Sequence, residues 1–147
     1  MPPPVPPRFR PAPAAAVALL LAGFMAPAPA PDRAHGQGLF HGPAPLRAWI
    51  AGQDFSLPAH AARCANCHGA AAPQRVAPLL SAAGMTQPVA RRGGPPSRYE
   101  ADSFCRLLRT GVDPAFVTVT RAMPRYELSD VECRALWLYL TEAGHDS

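Results

Sequence analysis

The run Cys64-Ala65-Asn66-Cys67-His68 carries two thiols three positions apart, with an imidazole directly behind the second. Thiols at that spacing on a turn can each add across one vinyl group of a haem, and the histidine that follows is then held beneath the iron. C-x-x-C-H is the spacing of c-type haem attachment. Two other chemistries use C-x-x-C. A structural zinc site wants four ligands, usually from two paired motifs, and the chain has no second C-x-x-C. A thiol–disulfide pair would open a helix within a βαβ pattern, for which no strands are apparent. One copy of the run predicts one covalent haem, with Cys64 and Cys67 as the thioether positions and His68 as the proximal iron ligand.

The second axial ligand must come from elsewhere in the chain. Met123 is the leading candidate, because a thioether is a soft donor that favours Fe(II) and raises the potential. Met85, in a long loop, is its rival, and an isolated methionine is otherwise core filler. His41, His60 and His145 are the imidazole alternatives; His60 lies close before His68, on the proximal side, and the other two read as solvated. Cys105 and Cys133 are either a disulfide, as suits an oxidising compartment, or two separate buried thiols. Arg91-Arg92 reads as a solvated loop pair, with a haem propionate or an acidic patch of a partner as the alternative contact.

Short elements must position these groups. Leu46–Ile50 reads as a short helix after Pro45, and Leu57–Arg63 as a helical turn that runs into the haem site. A long Ala-, Pro- and Gly-rich stretch follows His68 up to Pro96, and loops of that length are usually functional or wrapped around something. The pattern opened by Ser97 carries an apolar stripe and stops at Gly111. Residues Val112 to Tyr126 read as an extended loop. Ser129-x-x-Glu132 is a capping box for a last helix with Cys133, Leu136, Trp137 and Leu140 on one face. The expected fold is small and all-α: short helices and long loops wrapped around one covalently bound haem.

The 147 residues leave room for one small domain plus processed or linking sequence. Proline (20) and glycine (11) are abundant and aromatics few, so the core is modest and a haem would add a large apolar body to it. All 14 cationic side chains are arginine, a bias that reads as genome composition. Setting aside Arg8, Arg10, Arg33 and Asp32 in the targeting region lowers the formal charge from +4 to +2. No basic run is interleaved with aromatics, which argues against nucleic acid.

Arg8 and Arg10 precede an apolar segment, Ala14–Ala26, too short for a membrane span and suited to a secretory signal. Ala28-Pro29-Ala30 and Ala34-His35-Gly36 are candidate cleavage sites, the first leaving Pro31 at an unfavourable position. Residues 1–36 are therefore expected to be a signal peptide, or an uncleaved N-terminal anchor, and residues 37–147 the haem domain. Export fits haem attachment outside the bacterial cytoplasm and implies a periplasmic location, with membrane contact only if the segment stays uncleaved.

Three further passages carry a family likeness. Met123-Pro124-Arg125-Tyr126-Glu127-Leu128-Ser129-Asp130 is similar to an M-P-x-[FY]-x-L-[ST]-[DE] entry into a last helix. Trp137-Leu138-Tyr139-Leu140 resembles an aromatic–apolar helix ending, and Ala77-Pro78-Leu79-Leu80 resembles G-P-x-L with alanine for glycine. With C-x-x-C-H, these positions resemble the class I (mono-haem) cytochrome c family over roughly Leu39 to Ala143. The resemblance implies Met123 as the distal ligand and the Pro78 carbonyl as hydrogen-bond partner of His68. It also implies one-electron transfer between redox proteins: a dehydrogenase, a cytochrome complex or an oxidase. A haem with a labile distal site, acting as a peroxidase or gas sensor, is the alternative function. The chain departs from the family in its arginine- and proline-rich loop between Leu80 and Ser97, and in carrying Cys105 and Cys133.

Overall fold

In the computed structural model, which describes residues 1–2, 30–72, 77–78 and 80–142, the first helix opens at Asp32. The Asp32 carboxylate accepts the N–H groups of Ala34 and His35 at 3.1 and 3.3 Å, starting α1 (Arg33–His41). Gly42 ends it with a left-handed φ of 104°. The segment Ala14–Ala26, the cleavage position Ala28-Pro29 and His145 lie outside the described residues. Gly36, the last residue of the expected targeting region, lies inside α1. No helix among the described residues is long and apolar enough to cross a membrane.

The chain then forms a strand, β1 (Arg47–Trp49), two short helices, α2 (Ala65–His68) and α3 (Ala82–Thr86), and the longer α4 (Ala101–Thr110). A second strand, β2 (Arg125–Glu127), leads into α5 (Asp130–Thr141). The expected all-α fold is thus corrected: five helices are joined by a two-stranded antiparallel sheet, with Arg47 opposite Glu127, Ala48 opposite Tyr126 and Trp49 opposite Arg125. The helix expected over Leu46–Ile50 is β1. Proline explains part of the difference, since Pro124 drives Met123 out of the helical region and delivers β2 extended, ready to pair with residues 47–49.

α4 starts later than the Ser97 pattern suggests, because the chain before it is held extended. Ser97 exchanges backbone hydrogen bonds with Val89 at 3.0 and 3.1 Å, and the Tyr99 N–H donates to the Met85 carbonyl at 2.9 Å. α5 begins as its capping box requires: Glu132 N–H donates to the Ser129 hydroxyl at 3.2 Å, and Ser129 N–H to the Glu132 carboxylate at 2.8 Å.

α1 and α5 cross at Gly36. A Cβ there would collide with the Ala135 carbonyl and lie 2.9 Å from the Tyr139 Cβ, so only glycine lets the two backbones approach this closely. His41 and the Tyr139 hydroxyl share a 2.7 Å hydrogen bond further along the same seam. Phe40, Leu39, Leu136 and Leu140 are almost wholly buried around it. On its other side α5 is tied to α4 by the Cys105–Cys133 disulfide, whose α-carbons lie 5.7 Å apart.

Two outcomes follow for stability. Gly36→Ala should destabilise the protein by about 1–3 kcal/mol, the range for forcing atoms into a packed contact, as read by denaturant unfolding. Replacing Cys105 and Cys133 together by alanine should cost about 3–4 kcal/mol through the freed loop, visible as a lower unfolding midpoint that reductant no longer shifts.

Candidate functional site

A cavity of about 620 Å³ lies between α2, α3, α4 and α5, within the range of about 300–1,000 Å³ common for ligand pockets. Its walls are largely apolar, with Phe104, Leu107 and Leu108 of α4 and Leu136 and Leu140 of α5 among them. Cys64, Cys67, His68, Pro78, Met85 and Met123 all line it.

The attachment motif sits on one helical turn. The His68 N–H donates to the Cys64 carbonyl at 2.9 Å, and the Cys67 N–H to the same oxygen at 3.2 Å. Residues three apart on a turn share a face, which brings Cys64 and Cys67 to one wall. The Asn66 side chain donates to the His60 carbonyl at 2.8 Å and pins the turn to the segment before it. The turn is brief because Gly69 leaves it in an extended conformation.

His68 Nδ1 lies 2.8 Å from the Pro78 carbonyl oxygen. A carbonyl only accepts, so Nδ1 carries the proton and Nε2 keeps its lone pair. That tautomer is the one a metal ligand needs. Imidazole orientation and ligand basicity are thus set by one backbone oxygen.

Met123 is held on both sides. Its N–H donates to the Thr120 carbonyl at 3.2 Å, and its own carbonyl accepts from Arg125 Nη1 at 2.6 Å. Arg125 is itself only 5% exposed, lies against Gly111 where no Cβ would fit, and has its pKa lowered by burial. Met85, in α3, is also buried and also reaches the cavity. The structure therefore brings both methionines to the cavity that His68 lines. The imidazole alternatives are elsewhere: His41 is engaged by Tyr139, His60 is exposed in a turn away from the cavity, and His145 is outside the described residues.

Burial pushes the Cys64 thiol up to about 12, partly offset by a hydrogen bond with Tyr126. The Tyr126 hydroxyl is raised in turn, by burial first and by the neighbouring Cys64. A dithiol built for exchange needs the opposite, a thiolate available near neutral pH. Among the described residues no three His, Cys, Asp or Glu side chains converge as a tetrahedral metal site requires. A haem makes neither demand: it needs two thiols one turn apart, an imidazole Nε2, a second soft donor and an apolar box, and these residues supply all four on one cavity.

Sequence reasoning missed the anchor of the arginine pair. Arg92 is exposed, as expected of a solvated loop, and Arg91 is half-buried, yet both line the cavity beside Tyr99. Arg92 Nη2 donates to the Asp113 carboxylate at 2.6 Å, and Asp113 is fully buried. Burial alone would raise the Asp113 pKa, but the Val117 N–H, at 2.8 Å, and the Arg92 guanidinium hold it below the ordinary carboxylate value. The only sequence signal was the turn-forming Asp113-Pro114 pair, which marks a bend and not a burial.

Comparison with known proteins gives no matching family model, curated protein or solved structure.

A carboxylate with a lower pKa in the folded chain adds stability above its unfolded value and loses it as pH falls through the folded value. Asp113→Asn should therefore cost about 1–2 kcal/mol at pH 7, from the lost charged hydrogen bonds, because the Arg92 left behind is partly exposed. The gap between variant and native protein should close as the pH drops below about 4. Urea unfolding from pH 3 to 8 checks this; a constant gap would mean that the charge of Asp113 is irrelevant.

Proposed function

We propose that this chain is a mono-haem c-type cytochrome that carries single electrons between redox proteins, and is not itself an enzyme. The observation that carries the reading is the His68–Pro78 hydrogen bond of 2.8 Å: it fixes the ligating tautomer of the histidine of C-x-x-C-H, on a cavity shared with both thiols and Met123.

Once bound, the haem iron supplies one-electron exchange between Fe(II) and Fe(III). Everything else falls to the chain. Cys64 and Cys67 would hold the ring by two thioether links, each an S–H added across a vinyl group, which needs no outside oxidant. His68 would bind the iron through Nε2, with Nδ1–H kept on the Pro78 carbonyl. Met123 would supply the second ligand and so leave no open place for a substrate. The apolar helix faces exclude water, which limits reorganisation when the charge changes. Redox partners of such a carrier meet it over small, transient interfaces; a dehydrogenase, a cytochrome complex or an oxidase fits that role. A periplasmic location follows from the expected export signal and from where covalent haem is attached. The C-x-x-C-H and Met-Pro passages support this reading through their resemblance to the cytochrome c family.

The test is the intact mass of the denatured full chain, made with haem-maturation machinery, followed by ligand substitution. The expected mass is that of the processed polypeptide plus one haem. Met123→Ala should then open the iron to carbon monoxide or azide and lower the reduction potential, while Met85→Ala leaves both unchanged. If only Met85→Ala has this effect, Met85 is the ligand. If the native protein already takes up carbon monoxide, the distal site is labile and a peroxidase or gas-binding function replaces electron transfer. A mass without haem ends the cytochrome reading.

A further inference from the structure

The cavity is apolar, yet three guanidinium groups line it: Arg63, Arg91 and Arg92. Among the described lining residues there is no Asp or Glu. An apolar box with cations at its edge and no acid is complementary to an apolar ligand that carries negative charge. Two of the three cations are neighbours in sequence, and their corner is built with care.

Arg92 takes a left-handed backbone, φ 49°, followed by Gly93 at φ 75°. A non-glycine residue in that region is strained by roughly 1 kcal/mol or more and persists only where its surroundings demand it. Here the demand is visible. The turn swings the Arg92 side chain onto buried Asp113, 2.6 Å away. Its positive charge also acts on the Tyr99 phenol, opposing the upward push of burial. Arg91 lies over the Tyr99 ring, 4.9 Å from its centroid. It donates to the carbonyls of Val89 (3.1 Å), Ser97 and Gly84, which fixes the guanidinium plane.

We propose that the Arg91–Arg92 corner, anchored on Asp113 and backed by Tyr99, is a seat for a single carboxylate at the edge of the cavity. Resting on the haem reading above, that carboxylate is one propionate of the haem. The charge of this corner matches one acid: two guanidinium groups and one buried carboxylate leave one net positive charge. The donors allow it as well: three of the five N–H donors of Arg91 serve backbone carbonyls, and the rest remain to grip an acid oxygen. Seating one propionate sets which way round the ring lies and holds that acid ionised. Arg91 and Arg92 are positioning residues in this role.

Groups on every neighbouring element are accounted for. Asp113 titrates below the ordinary carboxylate range and Tyr99 above the ordinary phenol value, the first held down by Val117 and Arg92 and the second raised by burial. Arg106 donates to the Asp113 backbone carbonyl, and Arg63 lines the wall. His68 has its Nδ1 proton on the Pro78 carbonyl. Between about pH 5 and 8, a haem carboxylate that has lost its cation is then the group left to take up a proton.

The experiment compares the haem-loaded full chain with Arg91→Gln, Arg92→Gln and Arg91→Lys, reading intact mass and the reduction potential against pH. The native potential should be flat between about pH 5 and 8, because the seated acid stays ionised throughout. Each Gln variant should keep its covalent haem, show a potential shifted downward at pH 8 and gain one proton-linked inflection within that window. Arg91→Lys should restore the flat profile. Gln variants that hold haem and reproduce the native pH profile would overturn the seat while leaving the cytochrome reading intact. If a Gln variant does not accumulate, the native holoprotein decides: a potential that already varies across the window overturns the seat. A native chain carrying no haem removes the cytochrome reading, and the propionate seat with it.

Discussion

The contact between α1 and α5 at Gly36 is the constraint on which the remaining structure hangs. With a glycine on one helix and the Ala135 carbonyl on the other, the two backbones meet without side chains between them. That approach buries Phe40 and Leu39 against Leu136 and Leu140. It also joins the beginning of the described domain to its end, so everything from Gly42 to Ser129 must loop out of one seam and return. The loops are rich in proline and glycine and could not hold a shape through their own hydrogen bonds. They are instead tied at a few points: the β1–β2 pairing, the Val89–Ser97 bridge and the disulfide between α4 and α5. The cavity is the space enclosed when those ties are made.

Because the elements are short, the site is oriented by backbone carbonyls more than by scaffolding. One helical turn presents both thiols. One proline carbonyl selects the histidine tautomer. Arg125, buried in β2, holds the carbonyl of Met123 on one side while Pro124 restricts it on the other. Burying a guanidinium is costly unless its donors are satisfied, and here the satisfied donor fixes a candidate ligand. The β-ribbon that makes this fold other than all-α is therefore also what brings Arg125 to its place.

What the sequence made legible was local. The capping box of Ser129 and Glu132 specifies where α5 begins within a four-residue window, and the five residues from Cys64 to His68 state their own spacing. What stayed hidden depends on partners remote in the chain. Residues 47–49 have no local reason to be a strand; they become one because residues 125–127 arrive extended beside them. Residues 97–100 carry a helical pattern but are claimed first by Val89 and Met85. α3 lies within a stretch that composition marks only as loop. Pro78 could be named as the partner of His68 through a family likeness alone, since nothing about an isolated Ala-Pro predicts whose imidazole will find its carbonyl.

Asp113 shows the limit most clearly, and it also gives the arginine bias of the chain a structural consequence. No residue near Asp113 in sequence indicates that it is buried; its partner is 21 positions away, on a loop that reads as solvated. A lysine at position 92 could neutralise Asp113 but, as a compact point charge, could not at the same time offer a planar edge to the cavity. A guanidinium can, because its five donors are spread over a rigid fork. Arg91 uses the same property differently, spending part of the fork on backbone carbonyls while its face lies on the Tyr99 ring. An all-arginine composition can arise for reasons unrelated to any protein, yet at this corner it supplies a cation whose fork can serve a buried acid and face the cavity together.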